Sequence, residues 1–113
     1  MVTEGGHSPS NSADPFEALG DPHRRDILRL LSEGDKPVSQ IAAALPISRP
    51  AVSRHLRLLK QAGLVAEHPQ GTRRIYRVDP DGLAGVRDQL ERFWTKALAA
   101  YKATVEQASE ERR

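Results

Sequence analysis

One segment of the chain concentrates side chains that bind anions. The chain has 17 basic and 15 acidic residues, and between Arg49 and Arg77 seven of the basic residues occur with a single acid, Glu67. The rest of the chain is therefore net acidic. A solvated charged face normally mixes both signs, so this separation indicates that the segment binds a polyanion.

The start of this segment, ISRPAVSRHLRLLKQAGLV (residues 47–65), reads as a two-faced helix. At 100° per residue, Val52, Leu56 and Leu59 share one face. The opposite face carries Pro50, Ser53, Arg54, Arg57 and Gln61. Ser48 is suited to cap this helix and Gly63 to end it. The pattern predicts a helix anchored by its leucines, with its arginines directed outward.

Three Asp-Pro pairs, at residues 14–15, 21–22 and 79–80, predict helix starts, because aspartate caps a helix and proline fits its first turn. We expect helices over residues 15 to about 19, 22–32, about 38–44 and 80 to about 108. The runs LVAEH and RRIYRV, joined by PQGT with Gly71 in the turn, predict a β-hairpin. The predicted fold is mostly α with a β-hairpin wing, a winged helix-turn-helix in the order α-α-α-α-β-β-α.

This order of elements predicts binding of duplex DNA. The second helix of a helix-turn-helix enters the major groove, where arginine suits the two acceptors of guanine. The alternative is a winged-helix module that binds RNA or another protein, since fold alone does not fix function. Tyr76 is the only aromatic residue on the basic surface that could stack on RNA bases. An enzyme is not predicted, because Ser48 and Ser53 have no base and orienting acid at a recognisable spacing.

Two stretches, FEALGDPHRRDILRLLSEGDKPVSQIAAALPISRPAVSRHLRLLKQAGLV and GTRRIYRV, closely resemble the ArsR family of bacterial winged-helix transcriptional repressors. The resemblance covers about Phe16 to Tyr101. It implies a homodimer that binds a palindromic operator near its own promoter, with the first and last helices forming the dimer interface.

The resemblance also assigns residues to these surfaces. The DNA contacts it implies are Ser48, Arg49, Pro50, Ala51, Ser53, Arg54, His55 and Arg57 in the helix, and Thr72, Arg73 and Arg74 in the wing. His55 lies at the edge of the apolar face, so packing or phosphate contact is as well supported for it as base reading. On the first and last helices, the predicted dimer interface comprises Phe16, Leu19, Leu90, Phe93, Trp94, Ala97, Leu98 and Tyr101. Phe93, Trp94 and Tyr101 could instead line a ligand pocket, but their spacing on a terminal helix is more typical of an oligomer interface.

The chain departs from the metal-sensing members of that family. PVSQ (residues 37–40) stands where those proteins carry Cys-x-Cys, and the last helix has no histidine between Leu83 and Val105. The four histidines of the chain share no spacing typical of zinc ligands. No metal or other cofactor is predicted, and the residues do not identify an inducer.

Composition limits the remaining possibilities. The chain has no cysteine, no run approaching the roughly 18 apolar residues that span a membrane, and no apolar signal core, so a cytoplasmic protein is expected. Residues 1–13 are predicted to be a disordered arm, 14–106 the folded domain and 107–113 a flexible tail. Arg24 and Arg25 could contact the DNA backbone, but ion pairs with Asp21 and Asp26 at the start of their helix are the favoured interpretation.

Overall fold

The computed structural model describes residues 14–112, so the predicted arm at residues 1–13 lies outside the described part. It consists of α1 (Pro15–Ala18), α2 (Pro22–Ser32), β1 (Lys36–Pro37), α3 (Val38–Ala44), α4 (Arg49–Gln61), β2 (Val65–Gln70), β3 (Arg73–Val78) and α5 (Pro80–Glu111). The predicted order of helices and hairpin is confirmed, and one short strand, β1, is added. The chain divides into two compact units between Leu83 and Ala84.

The Asp-Pro pairs start helices as predicted. The Asp14 carboxylate accepts the Phe16 N–H at 2.9 Å at the start of α1. The Asp21 carboxylate accepts the N–H groups of His23 and Arg24 at 2.8 and 3.1 Å at the start of α2. These bonds satisfy backbone donors that have no partner within the helix.

The three strands form one antiparallel sheet in the order β1-β3-β2. Strands β2 and β3 are paired from Val65↔Val78 to Gln70↔Arg73, so only Gly71 and Thr72 remain in the turn. Gly71 has a φ of 64°, which glycine adopts without strain. The hairpin is thus longer than predicted. Strand β1 has only two residues, one of them proline, and so shows no alternation in the sequence.

The core lies in the first unit. Its fully buried side chains come from α2, α3, α4 and the segment leading into β2, and they are Ile27, Ile41, Val52, Leu56, Leu59 and Leu64. No polar or charged residue is buried among the described residues. The three apolar residues predicted to anchor α4 are all in this set.

Helix α4 ends in a hydrogen-bonded motif centred on Gly63. The Leu64 N–H donates to the Leu59 carbonyl at 2.9 Å and the Gly63 N–H to the Lys60 carbonyl at 3.0 Å. Gly63 has a φ of 79°, so these bonds form a Schellman motif with glycine in the left-handed position. The motif turns the chain from α4 into β2 and buries Leu64 behind it.

Helix α5 runs to Glu111, so residues 107–111, which were assigned to a flexible tail, are helical. The helix continues because Glu, Gln and Ala favour it and neither glycine nor proline interrupts this stretch. None of its 32 residues is buried.

Gly82, in the first turn of α5, lies against the turn that follows α4. A Cβ atom at position 82 would lie 1.7 Å from the Gly63 carbonyl oxygen and 2.7 Å from the Gly63 carbonyl carbon. Both are backbone atoms, which cannot rotate away as a flexible side chain could. Glycine is therefore required here, although within a helix it costs about 0.5–1 kcal/mol relative to alanine.

We expect Gly82→Ala to lower the free energy of unfolding by about 1–3 kcal/mol or more, because the added methyl group overlaps backbone atoms. Gly85→Ala is the matched control: apart from its own stretch of helix, no atom lies within 4 Å of the added Cβ, so helix propensity should raise stability by up to about 1 kcal/mol. Urea unfolding at one protomer concentration measures both. Equal midpoints for the two variants would show that the close approach at Gly82 does not constrain the fold.

Candidate DNA interface

Helix α4 separates its residues into a buried face and an exposed face. Val52, Leu56 and Leu59 are at most 1% exposed. Several predicted DNA-contacting residues of this region are exposed, namely Ser48, Arg49, Pro50, Arg54 and Arg57, and the others, Ala51, Ser53 and His55, are half-buried. The Ser48 hydroxyl oxygen accepts the Ala51 N–H at 3.2 Å and so caps the helix as predicted.

The three predicted wing residues, Thr72, Arg73 and Arg74, are exposed at the turn of the β2–β3 hairpin. Their strand is held between two partners, because β3 pairs with both β1 and β2. The short strand β1 pairs with β3 only at Ile75 and Tyr76, so it supports the base of the wing, whereas Arg73 and Arg74 are paired with β2 alone.

A cleft of about 320 Å³ brings the start of α4 and the wing together. Its lining comprises Pro37, Val38, Ser39, Arg49, Ser53, Thr72, Arg73, Arg74 and Tyr76. Five of these residues were predicted to contact DNA, and no acidic residue lines the cleft. The structure thus brings the start of α4 and the wing tip into one concave, basic surface.

Sequence reasoning missed the contribution of Pro37, Val38 and Ser39 to this surface. They enter it because β1 pairs with β3 in the register Lys36↔Tyr76 and Pro37↔Ile75, which brings the start of α3 beside the wing. The same pairing leaves Tyr76 half-buried rather than free on the surface. The only aromatic side chain considered for RNA stacking is therefore not an open platform.

Glu67, the single acid of the basic segment, contacts cations on both sides. Its carboxylate accepts a hydrogen bond from Lys60 Nζ at 2.6 Å and one from Arg74 Nη1 at 3.4 Å. The hydrogen bond from Lys60 is the main reason that the pKa of Glu67 lies below its ordinary value; partial burial opposes the shift, and the charges of Lys60 and Arg74 add to it. Burial and the nearby Glu67 carboxylate raise the pKa of Tyr76.

Arg24 and Arg25 do not form the predicted ion pairs. Arg24 Nε donates to the Ala18 carbonyl at 2.7 Å and Arg25 Nη1 to the Leu19 carbonyl at 2.7 Å, so both close the carboxyl end of α1. Asp26 pairs instead with Arg29. The prediction was wrong because the spacing of charges on α2 does not reveal that free carbonyl groups of α1 lie next to it.

His55 is placed against α2 rather than fully on the exposed face of α4. Its Nδ1 lies 3.3 Å from Arg24 Nη1, and its ring centroid lies 5.9 Å from that of His23. Burial lowers the pKa of His55; the Asp21 carboxylate opposes this shift, and the positive charges nearby reinforce it. This placement favours the packing role over the base-reading role for His55, while its contact with DNA stays a prediction.

The residues predicted to form the dimer interface are mostly exposed apolar side chains. In the first unit, Phe16 is 41% exposed and Leu19 is half-buried. In the second unit, exposures between 49% and 68% are found at Leu90, Phe93, Trp94, Leu98 and Tyr101, and Ala97 is also exposed. Large apolar side chains exposed in a helical stripe are typical of a surface that another chain covers.

Two other kinds of site are absent from residues 14–112. No group of three or more His, Cys, Asp or Glu side chains is arranged to hold a metal ion in this part of the chain. No helix within it is long and apolar enough to cross a membrane.

Comparison with known proteins gives consistent matches to one family. Residues 21–67 match the family described as bacterial regulatory protein, arsR family. The HTH-type transcriptional regulator Rv2034 of Mycobacterium tuberculosis is 50% identical over 91 residues, which are 80% of this chain and 85% of that protein. The transcriptional repressor SdpR of Bacillus subtilis is 46% identical over 56 residues, which are 50% of this chain and 62% of that protein.

A solved structure shares the fold. The homodimeric winged helix-turn-helix DNA-binding domain of Mb0332 from Mycobacterium bovis, a possible ArsR-family regulator solved by NMR, superposes with a TM-score of 0.59 at 31% identity. The match covers 74% of this chain and 77% of that domain. The predicted winged helix-turn-helix fold is confirmed.

The lowered pKa of His55 gives a testable dependence of stability on pH. The unfolded chain binds a proton near the ordinary histidine value of 6.5, whereas the folded chain resists it, so stability falls as the pH drops below 6.5. His55→Gln removes the titrating ring and keeps an acceptor for Arg24. We expect the free energy of unfolding of the wild type to fall between pH 7 and about pH 5 by at most about 1.4 kcal/mol per pH unit from this group, and that of the variant to fall less.

Urea unfolding at a series of pH values measures this difference. Asp21 and Glu67 also have lowered pKa values, but these carboxyl groups affect stability only near or below the ordinary carboxyl values. They therefore do not obscure the effect of His55. Parallel curves for the wild type and His55→Gln over this range would contradict the assignment.

Proposed function

The chain belongs to the ArsR family of bacterial regulatory proteins, and from this premise we propose that it is a homodimeric repressor that occludes a promoter by binding a palindromic operator, including one at its own gene. It is a DNA-binding transcriptional regulator, and its relatives Rv2034 and SdpR are named as a regulator and a repressor. The observation that carries the proposal is the basic cleft shared by α4 and the wing.

The two parts of this surface are suited to different contacts. Arg54 lies exposed in the middle of α4, the recognition helix, from where a side chain can reach base edges in the major groove. Arg73 lies next to the hairpin turn, from where it meets phosphates or the minor groove. We assign base reading to Arg54 and phosphate binding to Arg73, because base contacts specify sequence and phosphate contacts position the protein.

A homodimer is supported by two observations. The Mb0332 domain, which shares this fold, is described as homodimeric. Helix α5 exposes a continuous apolar stripe that includes Leu90, Trp94 and Tyr101. Two-fold symmetric proteins read two-fold symmetric DNA, so a dimer of this fold calls for a palindromic operator.

An RNA-binding or protein-interaction role is less well supported than duplex DNA binding. Single-stranded RNA is held by exposed aromatic side chains, and Tyr76 is half-buried. Release by a metal is not proposed, because residues 37–40 lack the thiolates of metal-sensing relatives and α5 lacks histidine. The inducer, if the protein has one, belongs to another chemical class.

Selection from a pool of randomised duplexes tests the proposed function. We expect successive rounds with the wild-type protein to enrich a two-fold symmetric sequence, and a matching site to be protected from nuclease upstream of the protein's own gene. Failure to enrich any sequence, or enrichment of a site without symmetry, would overturn the proposal.

We expect Arg54→Ala to weaken binding to the selected duplex by about 1–3 kcal/mol and to relax the preference for one base pair in each half-site. Arg73→Ala should weaken binding to selected and scrambled duplexes about equally. It should also flatten the plot of log affinity against log salt by about 0.9 per contact, or roughly twice that per dimer.

Both variants are to be measured on both duplexes across a salt series, with Arg29→Ala as the control. Arg29 is an exposed arginine of α2 that pairs with Asp26, so its loss changes net charge outside the candidate interface. The assignment is reversed if Arg54→Ala affects both duplexes alike while Arg73→Ala removes only the preference for the selected one.

Replacing Leu90 or Phe93 with Glu should yield monomers that bind DNA poorly, because a dimer would bury an unpaired charge, which destabilises it by several kcal/mol. Ala99→Glu is the matched control. It adds the same charge to the same helix, nine residues and thus half a rotation from Leu90, where the side chain is also exposed. Light scattering at micromolar concentration reports the mass of each variant. A monomeric wild type, or a monomeric Ala99→Glu protein, would refute the assigned interface.

A further inference from the structure

Glu67 occupies a position in the DNA-binding surface that its charge alone would not favour. It is the only acid among seven basic residues between Arg49 and Arg77, and phosphate would be repelled by it. Its side chain is only 14% exposed, whereas those of its partners Lys60 and Arg74 are 52% and 67% exposed. The carboxylate therefore lies beneath its two cations and is shielded by them from an approaching polyanion.

The contacts of Glu67 connect three elements. Lys60 is in the last turn of α4, Glu67 is in β2, and Arg74 is in β3. Glu67 lies opposite Tyr76 in the sheet, and Arg74 is the diagonal neighbour two residues along that strand. One carboxylate thus joins the end of the recognition helix to both strands of the wing.

The two neighbouring wing arginines are not equivalent. Successive residues of a strand point to opposite sides of the sheet, so Arg73 and Arg74 face different ways. Arg74 contacts Glu67, whereas none of the ion pairs formed within residues 14–112 involves Arg73. Arg74 was one of the predicted DNA contacts, but it is committed to Glu67 within the protein, so Arg73 is the wing arginine left to meet phosphate.

We propose that Glu67 is a specificity-determining residue: by holding Lys60 and Arg74 it fixes the wing against the recognition helix and withdraws two cations from binding phosphate. The inference rests on the proposed function. Phosphate contacts strengthen binding to every DNA sequence, so cations withdrawn from phosphate lower the affinity for random DNA. A regulator must find its operator among a great excess of other sites, and the ratio of the two affinities decides whether it does.

The proposed role predicts that removing the negative charge of Glu67 strengthens binding to random-sequence DNA. Glu67→Gln should leave Lys60 and Arg74 free to meet phosphates. Affinity for a random-sequence duplex should rise, and the plot of log affinity against log salt should steepen by about 0.9 for each freed cation, up to about twice that per protomer. The ratio of affinities for the selected and random duplexes should fall. A purely structural role would instead weaken binding to both duplexes.

The matched control for charge is Glu33→Gln. Glu33 is an exposed acid in the turn after α2 and takes part in none of the ion pairs within residues 14–112, so its loss should leave the salt dependence unchanged. Adding Lys60→Gln to Glu67→Gln should reverse the part of the steepening that Lys60 contributes, because that freed cation is then absent.

Fluorescence anisotropy with a labelled random duplex, followed through a salt series, provides the measurement. The inference would be overturned if Glu67→Gln bound no more tightly than the wild type and showed a parallel slope.

Lys60→Gln alone gives an independent test that does not depend on the folding of Glu67→Gln. A cation held by Glu67 makes no phosphate contact, so this variant should keep the wild-type slope, and a slope flatter by about 0.9 per protomer would also overturn the inference.

These outcomes separate the inference from the function on which it rests. A wild-type protein that binds no duplex at all would reject DNA binding itself. A wild-type protein with normal salt-dependent binding, combined with an unaltered Glu67→Gln variant, would reject only the role of Glu67.

Discussion

Burial of one face of α4 is the constraint on which the DNA-binding surface depends. Val52, Leu56 and Leu59 are held in a core shared with Ile27 of α2 and Ile41 of α3. Because these apolar side chains occupy a single face, the arginines on the other face stay in water and their charges need no partner within the protein.

The same burial orients the segments after α4. The Schellman motif at Gly63 places Leu64 in the core, and the Asp79 N–H donates to the Leu64 carbonyl at 2.9 Å, so the wing and the start of α5 are positioned from the end of α4.

Within the proposed function, the charges of this region balance affinity for DNA against discrimination between sequences. Cations gathered in one cleft repel one another in the free protein, and DNA relieves this repulsion by replacing it with phosphate contacts. A surface of cations alone would bind every sequence, since counterion release does not depend on sequence. Within the proposed function, one shielded carboxylate at Glu67 reduces this general attraction without placing a negative charge at the DNA. The exposed arginines of α4, such as Arg54, remain available for base edges.

The elements set by local sequence were predictable, and those set by contacts between distant residues were not. Helices α2 and α3, the Ser48 cap and the buried face of α4 follow from capping residues and apolar periodicity within a few residues. Strand β1 escaped prediction because its existence depends on pairing with β3, some 40 residues away in the chain. The contact of His55 with Arg24, 31 residues away, escaped for the same reason. The bond from Arg24 to the Ala18 carbonyl is local, but it crosses the turn between α1 and α2, which a helical wheel does not show. The roles of individual residues towards DNA remain predictions, because they depend on a partner molecule.

If the exposed stripe of α5 is the dimer interface, as proposed, it affects specificity as well as assembly. A single recognition helix offers few side chains to base edges, and each mismatched base pair typically changes the binding free energy by about 1–3 kcal/mol. One protomer therefore discriminates only modestly between operator and random DNA. In the proposed homodimer the same contacts are made twice, and since the contributions of well-separated positions are roughly additive, the discrimination in free energy doubles. Side chains such as Phe93, which is 66% exposed, would then contribute to reading DNA through dimerisation, without touching it. Within this proposal the apolar stripe of α5 affects specificity by pairing two copies of the recognition helix, in addition to the arginines assigned to the base edges.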